Sequence, residues 1–305
     1  MNTPQTIEEY LQQLRDALRG ADPALIQDAL YDAEEHLRAE LADRPDRSEA
    51  DMLAHVAGSY GAPDEVAELY REQEIKIQRA LRPPPAPPRK TPVGRFFGVA
   101  ADPRTYGALF YMLLALATGI FYFTWAVTGV SLSMGLSVLI IGIPFVVLFL
   151  SSVRGLSLLE GRIVETMLGV RMPRRPPYPS MQGLSLMKRI GAVFTDGRTW
   201  TTLFYMLLML PLGIIYFTIT VTLLSVSLGF IVAPFAKLIL AEEFIHVNEC
   251  TGVPEWVCNG GGWPGAIVVC LLGVALLFGT LHLLRGLGKL HGQVAKHLLV
   301  RSTLN

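Results

Sequence analysis

The chain of 305 residues contains three long runs without any Asp, Glu, Lys or Arg. The runs cover residues 105–153, 199–236 and 256–284 and are 49, 38 and 29 residues long. A helix that crosses a bilayer needs about 20 consecutive apolar residues, whereas buried core helices of soluble proteins have shorter apolar runs. The first run therefore predicts two membrane-spanning helices, and the other runs predict one each. We expect the four spans at about 106–128, 132–153, 201–223 and 265–284.

Charge is divided unevenly along the chain. Residues 1–82 contain 18 acids and 9 bases, whereas residues 83–305 contain 8 acids and 17 bases, although the whole chain has zero formal net charge. This asymmetry indicates two different environments.

Three cysteines are too few for a disulfide scaffold. Because the chain starts Met1-Asn2-Thr3-Pro4, without a basic leader segment, we expect residues 1–82 to stay in the cytoplasm.

Residues 1–82 predict a small, all-helical, acidic module with four helices. Thr3 with Pro4 would cap the first helix, Asp22-Pro23 the second and Ser48 the third, and a turn at Gly61–Asp64 would lead into the fourth. The acidic surface is either a solvated face or a docking surface for a basic partner. Our candidate docking residues are Glu34, Glu35, Asp64 and Glu65.

Three motifs give this module a family resemblance. They are Tyr10–Leu14, Asp32–Leu37 (Asp-Ala-Glu-Glu-His-Leu) and Tyr60–Ala67 (Tyr-Gly-Ala-Pro-Asp-Glu-Val-Ala). The segment resembles the HAAS domain, an α-helical signalling domain of bacterial membrane proteins. The resemblance implies a cytoplasmic signalling partner such as a PadR-type transcription regulator. We also consider a kinase as the partner, and we expect no direct binding of nucleic acid. A proline-rich, basic linker follows at 83–100.

Repeated motifs in residues 101–305 predict an internal duplication of the membrane part. Leu109–Leu114 recurs as Leu203–Leu208 and Gly119–Thr124 as Gly213–Thr218, at a constant offset of 94. Arg154–Leu168 corresponds to Arg285–Leu299 at an offset of 131, which leaves an insertion at about 230–266 in the second copy. We therefore expect two units, 101–172 and 195–305, joined by a cytoplasmic linker at 173–194. Each is a helical hairpin followed by an amphipathic helix that lies on the membrane surface or packs on protein.

The positions of Lys and Arg predict the orientation. Basic residues precede the first span, dominate 154–200 and follow the last span, so these segments should be cytoplasmic, as should both termini. The uncharged turn near 128–135 and the acidic insertion should lie outside the cell membrane. A fifth crossing at 225–245 would place the basic tail outside, so we expect 225–240 to extend the third helix or follow the outer interface.

The duplicated part also resembles a known family. The matching motifs are Arg198-Thr199-Trp200, Leu212–Thr218, Gly142–Phe145 and Met167–Val170. They are similar to the sensor domain of actinobacterial membrane proteins, which often forms the input part of histidine kinases. The resemblance implies that the membrane helices detect a signal.

The insertion contains the main cluster of chemically reactive side chains. Its candidate signal-input residues are Glu242, Glu243, His246 and Trp256. Cys250 and Cys258 could form a disulfide, stay free or join His246 as metal ligands. The sequence contains no phosphate loop, nucleophile elbow or zinc-protease motif, so we expect no catalytic site and no cofactor.

These features together predict an all-α, non-enzymatic integral membrane protein. It would relay an envelope or membrane signal to a cytoplasmic regulator. The alternative is a component of membrane transport or lipid handling, for which repeated helical units are also typical. A membrane enzyme is a third and weaker hypothesis, and homo-oligomerisation is left open.

Overall fold

The computed structural model describes residues 4–44, 46, 48–81, 91–136, 142–175, 191, 197–239 and 262–300. These residues form α-helices, one short 3-10 helix and connecting turns, and the described part of the chain contains no strand. The helices are α1 (Ile7–Ala17), α2 (Pro23–Asp43), α3 (Glu49–Ser59), α4 (Pro63–Leu81), α5 (Pro92–Phe97), α6 (Pro103–Leu136), α7 (Gly142–Leu168), α8 (Gly197–Ile239) and α9 (Gly262–Leu299). The all-α prediction is confirmed.

The chain divides into two compact units. The first consists of Met1–Pro85, Thr124–Leu207 and His291–Asn305, and the second of Ala86–Phe123 and Leu208–Leu290. The N-terminal helical module therefore shares one unit with α7, the beginning of α8 and the end of α9.

Local capping residues determine where the helices of the module begin. The Asp22 carboxylate accepts the Ala24 N–H, and the Ser48 hydroxyl oxygen accepts the Asp51 N–H, as predicted. The first helix is the exception: its N-cap is Thr6, and the prediction of Thr3 is wrong. Thr6 is favoured because Glu9 follows three residues later, where its N–H donates to the Thr6 hydroxyl and its carboxylate accepts the Gln5 N–H.

A small apolar core holds the module together. It contains side chains from α1, α2, α3 and α4, including Leu14, Leu37, Met52 and Val66. The Tyr10 hydroxyl crosses this core and donates to the Gly61 carbonyl at 2.8 Å, which fixes the turn before α4. Gly61 has a positive φ of 110°, which side-chain-bearing residues rarely adopt.

Four helices of the described chain are long and apolar enough to cross a membrane: α6, α7, α8 and α9. Their number agrees with the prediction. The prediction of a turn near 128–135 is wrong, because α6 continues to Leu136. That region contains isolated glycines and no proline, so it has no strong helix terminator. Residues 225–239 extend α8, which is one of the two alternatives expected for this segment.

The predicted amphipathic helices are continuations of spans. Residues 155–168 belong to α7, and 285–299 belong to α9. In α7 the continuation packs on protein, because Glu160, Gly161 and Val164 are buried. Of the two alternatives considered for this segment, packing on protein is therefore the one that these residues adopt.

In the second unit, α6 and α8 cross in close contact at two glycines. A methyl group on Gly119 would overlap the Met209 main chain, and one on Gly213 would overlap that of Ala115. The two contacts are equivalent at the offset of 94 noted in the sequence. Two related copies would produce such a reciprocal contact, but the duplication itself remains a prediction from the sequence.

Candidate functional site

The module binds a short basic segment of its own chain. This basic segment, Arg171–Arg175, follows α7 and lies on a surface that we call the acidic face, formed by residues of α2 and α4 with the N-cap of α2. The members of the acidic face are Asp22, Gln27, Asp28, Asp32 and Glu74. Their partners lie more than 90 positions away along the chain, so they meet only in the folded protein.

Arg171 is the centre of this contact. Its guanidinium donates to Asp28 at 3.0 Å, to Glu74 at 3.0 Å and to Glu165, near the end of α7, at 3.3 Å. The Arg171 side chain is only 12% exposed, and its three carboxylate partners are 10% exposed or less. A planar guanidinium can satisfy several carboxylates at once, which an ammonium group does less well.

The acidic face also binds the main chain of the basic segment. Asp28 Oδ1 accepts the N–H groups of Arg174 at 2.7 Å and Arg175 at 2.8 Å. The Gln27 amide donates to the Arg175 carbonyl at 2.8 Å and accepts from Arg198 at 3.0 Å. The segment is therefore held through both its side chains and its backbone.

Peripheral contacts extend the site on both sides. Arg175 Nε lies 2.9 Å from Asp32, and its guanidinium lies over the Tyr31 ring at 5.5 Å. At the other edge, the Lys296 ammonium near the end of α9 pairs with Asp22. The ends of α7 and α9 are thus both linked to the module by ion pairs.

The local sequence explains why the basic segment reaches the module. Gly169 has a positive φ of 70°, and its N–H donates to the Glu165 carbonyl, so α7 ends there and the chain turns. Met172 is buried beside Gly161 of α7, and Val170 lies against Gly292 of α9. These contacts anchor the segment on α7 and α9 and present its arginines to α2.

Burial strengthens the electrostatic coupling in this site. It raises the pKa of Asp28, although the N–H groups of Arg175 and Arg174 and the Arg171 guanidinium all act to lower it. Burial would lower the pKa of Arg171, but Glu74, Asp28 and Glu165 outweigh it and raise that pKa. Removing one member of such a buried group leaves the others without compensation and is strongly destabilising.

A second polar cluster is buried among the long helices. The Tyr205 hydroxyl of α8 donates to Glu160 of α7 at 2.9 Å and lies 3.0 Å from His291 Nε2 of α9. All three side chains are at most 2% exposed. Because the hydroxyl has a single hydrogen, donation to Glu160 requires His291 to donate to the tyrosine oxygen. Buried ionisable groups within apolar helices often have functional roles.

The two clusters are close along the helices that carry them. Glu160 precedes Glu165 by five residues on α7, and His291 precedes Lys296 by five residues on α9. Glu160 and His291 also occupy equivalent positions at the offset of 131. The buried cluster therefore joins the two helices whose ends contact the module.

None of the four predicted docking residues is among the members of the acidic face. Glu34 is buried and pairs with Arg38 at 2.9 Å, and Glu65 accepts the Ala62 N–H at 3.1 Å. Glu35 and Asp64 are exposed. A docking function for these four residues remains a prediction.

The candidates in the insertion fall outside the described residues. They are Glu242, Glu243, His246, Cys250, Trp256 and Cys258. Within the part of the chain that the structure describes, no three His, Cys, Asp or Glu side chains are arranged to hold a metal ion. The signal-input, disulfide and metal hypotheses therefore remain predictions.

Sequence reasoning missed the acidic face and Arg171. The available signal was the spacing of Asp28 and Asp32, which places two acids four residues apart on one helix face, together with the cluster Arg171, Arg174 and Arg175. Neither pattern identifies its partner without the fold.

Two family models match the chain. Residues 9–68 match the model named HAAS, and residues 111–299 match the model described as Putative sensor. Both resemblances seen in the sequence are confirmed, in the same order along the chain. No curated protein and no solved structure matches it.

Proposed function

Since the chain belongs to the sensor family matched by residues 111–299, we propose that it relays an envelope or membrane signal to a cytoplasmic regulator. The N-terminal HAAS module is the output part, and the four apolar helices are the input part. In this proposal the protein is non-enzymatic, lies in the cell membrane and keeps both termini in the cytoplasm. The partner is a PadR-type transcription regulator or a kinase.

The single observation that carries the proposal is the coordination of Arg171. This residue follows α7 directly and is buried between two carboxylates of the module and one of α7. A relay needs an element with two states whose equilibrium the signal can shift. We assign that element to the module, which is docked when Arg171 is bound and released when Arg171 is withdrawn.

The chemistry of the contact favours two discrete states over a continuous range. A half-separated guanidinium would leave buried carboxylates without partners, which costs several kcal/mol. Full docking avoids this cost because the carboxylates keep their arginine partners. Full release avoids it because water solvates the charges. A small displacement at the end of α7 would therefore produce a large change in the module.

A comparison of variants in cells tests the relay. Arg171→Ala should release the module, so that expression of genes adjacent to the coding sequence no longer responds to envelope stress. Arg19→Ala is the matched control, because Arg19 is an exposed arginine of the module that pairs only locally with Asp16. It should leave the response intact.

Deletion of residues 1–82 provides the decisive result. The deletion removes the output part, so the stress response of the regulated genes should disappear. An unchanged response in this deletion would contradict the relay. The same response in Arg171→Ala and wild type would show that the Arg171 contact is not the transmitting element.

A further inference from the structure

Residues of the module alone provide several kinds of contact to the basic segment. Asp28 and Glu74 of the module bind the Arg171 guanidinium, and Asp28 also accepts two consecutive main-chain N–H groups. Gln27 donates to the carbonyl at Arg175. The acidic face thus pairs with the arginine charge, the main-chain N–H groups and a main-chain carbonyl of the segment, as a protein does with a bound peptide.

We propose that the acidic face is the binding site for an arginine-rich segment of the cytoplasmic partner, and that residues 171–175 occupy this site in the partner's place. The inference rests on the proposed function, because it names the chemistry by which the partner is recognised. The partner segment presents arginines in the spacing Arg-x-x-Arg-Arg, with free main-chain N–H groups at the last two positions.

Charge supports this choice of partner. When the basic segment leaves, Asp28, Asp32 and Glu74 lose their arginine partners. Three carboxylates then share one small surface of α2 and α4. Their mutual repulsion favours a cationic ligand, and Asp28 and Glu74 are placed to accept a guanidinium together.

Tethering explains how the site would be closed in the resting protein. A segment held close to its binding site acts at an effective concentration in the millimolar range. A partner at ordinary cellular concentration competes poorly until a signal withdraws Arg171. The basic segment is therefore an internal competitor, and its release opens the site.

A peptide-binding experiment on the full-length protein tests the inference. The probe is a fluorescent synthetic peptide with the sequence of residues 169–175, Gly-Val-Arg-Met-Pro-Arg-Arg. The protein is placed in phosphatidylcholine nanodiscs, so that no anionic lipid competes for the arginines. We expect Arg171→Ala to bind this peptide at least tenfold more tightly than wild type or the control Arg19→Ala.

Two further combinations identify the binding surface. Adding Asp28→Asn to Arg171→Ala should reduce peptide binding at least tenfold, since it removes the acceptor of the guanidinium. A peptide carrying the change Arg171→Ala should bind weakly to every variant. If Arg171→Ala weakens the fold, Arg171→Lys gives the same comparison, because it keeps a charge but bridges Asp28 and Glu74 less well.

The contradicting outcomes are equally specific. Equal binding to wild type and Arg171→Ala, no binding to Arg171→Ala or Arg171→Lys, or binding that survives Asp28→Asn would each overturn the inference. Because peptide binding is measured without gene expression, a failure of this inference can be distinguished from a failure of the proposed relay. If the peptide binds as expected but the stress response is unaltered after deletion of residues 1–82, the proposed binding site stands and the relay is refuted.

Discussion

Asp28 accepts three of the hydrogen bonds between the module and the basic segment. Its two carboxylate oxygens have different partners: Oδ1 accepts two main-chain N–H groups, and Oδ2 accepts the Arg171 guanidinium. Burial raises the pKa of this carboxyl although the three donors act to lower it, so they offset only part of the desolvation cost of docking.

Asp28→Asn should loosen the basic segment without unfolding the module. The amide oxygen can still accept the main-chain N–H groups, but the amide nitrogen would face a guanidinium that also donates. We expect the free energy of opening to fall by about 2 kcal/mol, as for other hydrogen bonds to charged groups. Faster hydrogen exchange at Arg174 and Arg175, measured by mass spectrometry, would report this change.

A matched control for this variant lies on the same helix. Glu34 is also buried on α2, but its carboxylate pairs with Arg38. Glu34→Gln should therefore leave exchange at 171–175 unchanged. Equal acceleration in both variants would mean that general weakening of α2, and not loss of the specific contact, frees the segment.

The sequence predicted residues whose roles are local and missed those whose partners are distant. Asp22 and Ser48 were identifiable as caps because the main-chain N–H groups that donate to them lie within three residues. Arg171 and Asp28 are 143 positions apart, so no local pattern joins them. Complementary charge was visible in the sequence, but the pairing depends on how Gly169 turns the chain.

At the scale of elements, glycine determines how closely the long helices approach. Gly119 of α6 lies against the main chain of α8, whereas Gly135 of the same helix has open space around the position of a side chain. Close approach of backbones at small residues is a common way to stabilise helix pairs in membranes.

Alanine substitution should distinguish these two glycines. Gly119→Ala should lower the free energy of unfolding by about 1–3 kcal/mol, because the added methyl group overlaps Met209. Gly135→Ala should be neutral or stabilising by up to about 1 kcal/mol, because alanine favours helix. Thermal unfolding of both variants in the same detergent measures the difference, and equal midpoints would argue against a close crossing at Gly119.

The long helices also show which features could be predicted from the sequence and which could not. The lengths of the charge-free runs were sufficient to predict four apolar helices, because hydrophobic length is a property of the chain alone. The ends of those helices were not predictable: α6 passes through the expected turn, and α7 and α9 continue through Gly155 and Gly286. An isolated glycine weakens a helix but does not end it.

For the whole molecule, the zero net charge is the sum of an acidic module and a basic remainder. Part of this difference is internal complementarity, since Arg171, Arg175 and Lys296 bind the acidic face. The other part is the excess of Lys and Arg expected on the cytoplasmic side of membrane helices.

Fusions to a phosphatase that is active only outside the cytoplasm test the predicted orientation. A fusion after Asn259, in the insertion, should be active, and a fusion after Arg175 should be inactive. Activity in the reverse pattern would place the acidic face and its arginine partners outside the cell. It would also exclude any cytoplasmic regulator as the partner.

The module is held at two points that belong to different helices: Arg171, which follows α7, and Lys296, near the end of α9. A displacement that α7 and α9 share would carry the module along with both ion pairs intact. A displacement of one helix against the other would stretch one ion pair while the other held. In the proposed relay, the module would therefore respond to a displacement of α7 relative to α9 and not to a displacement that both helices share.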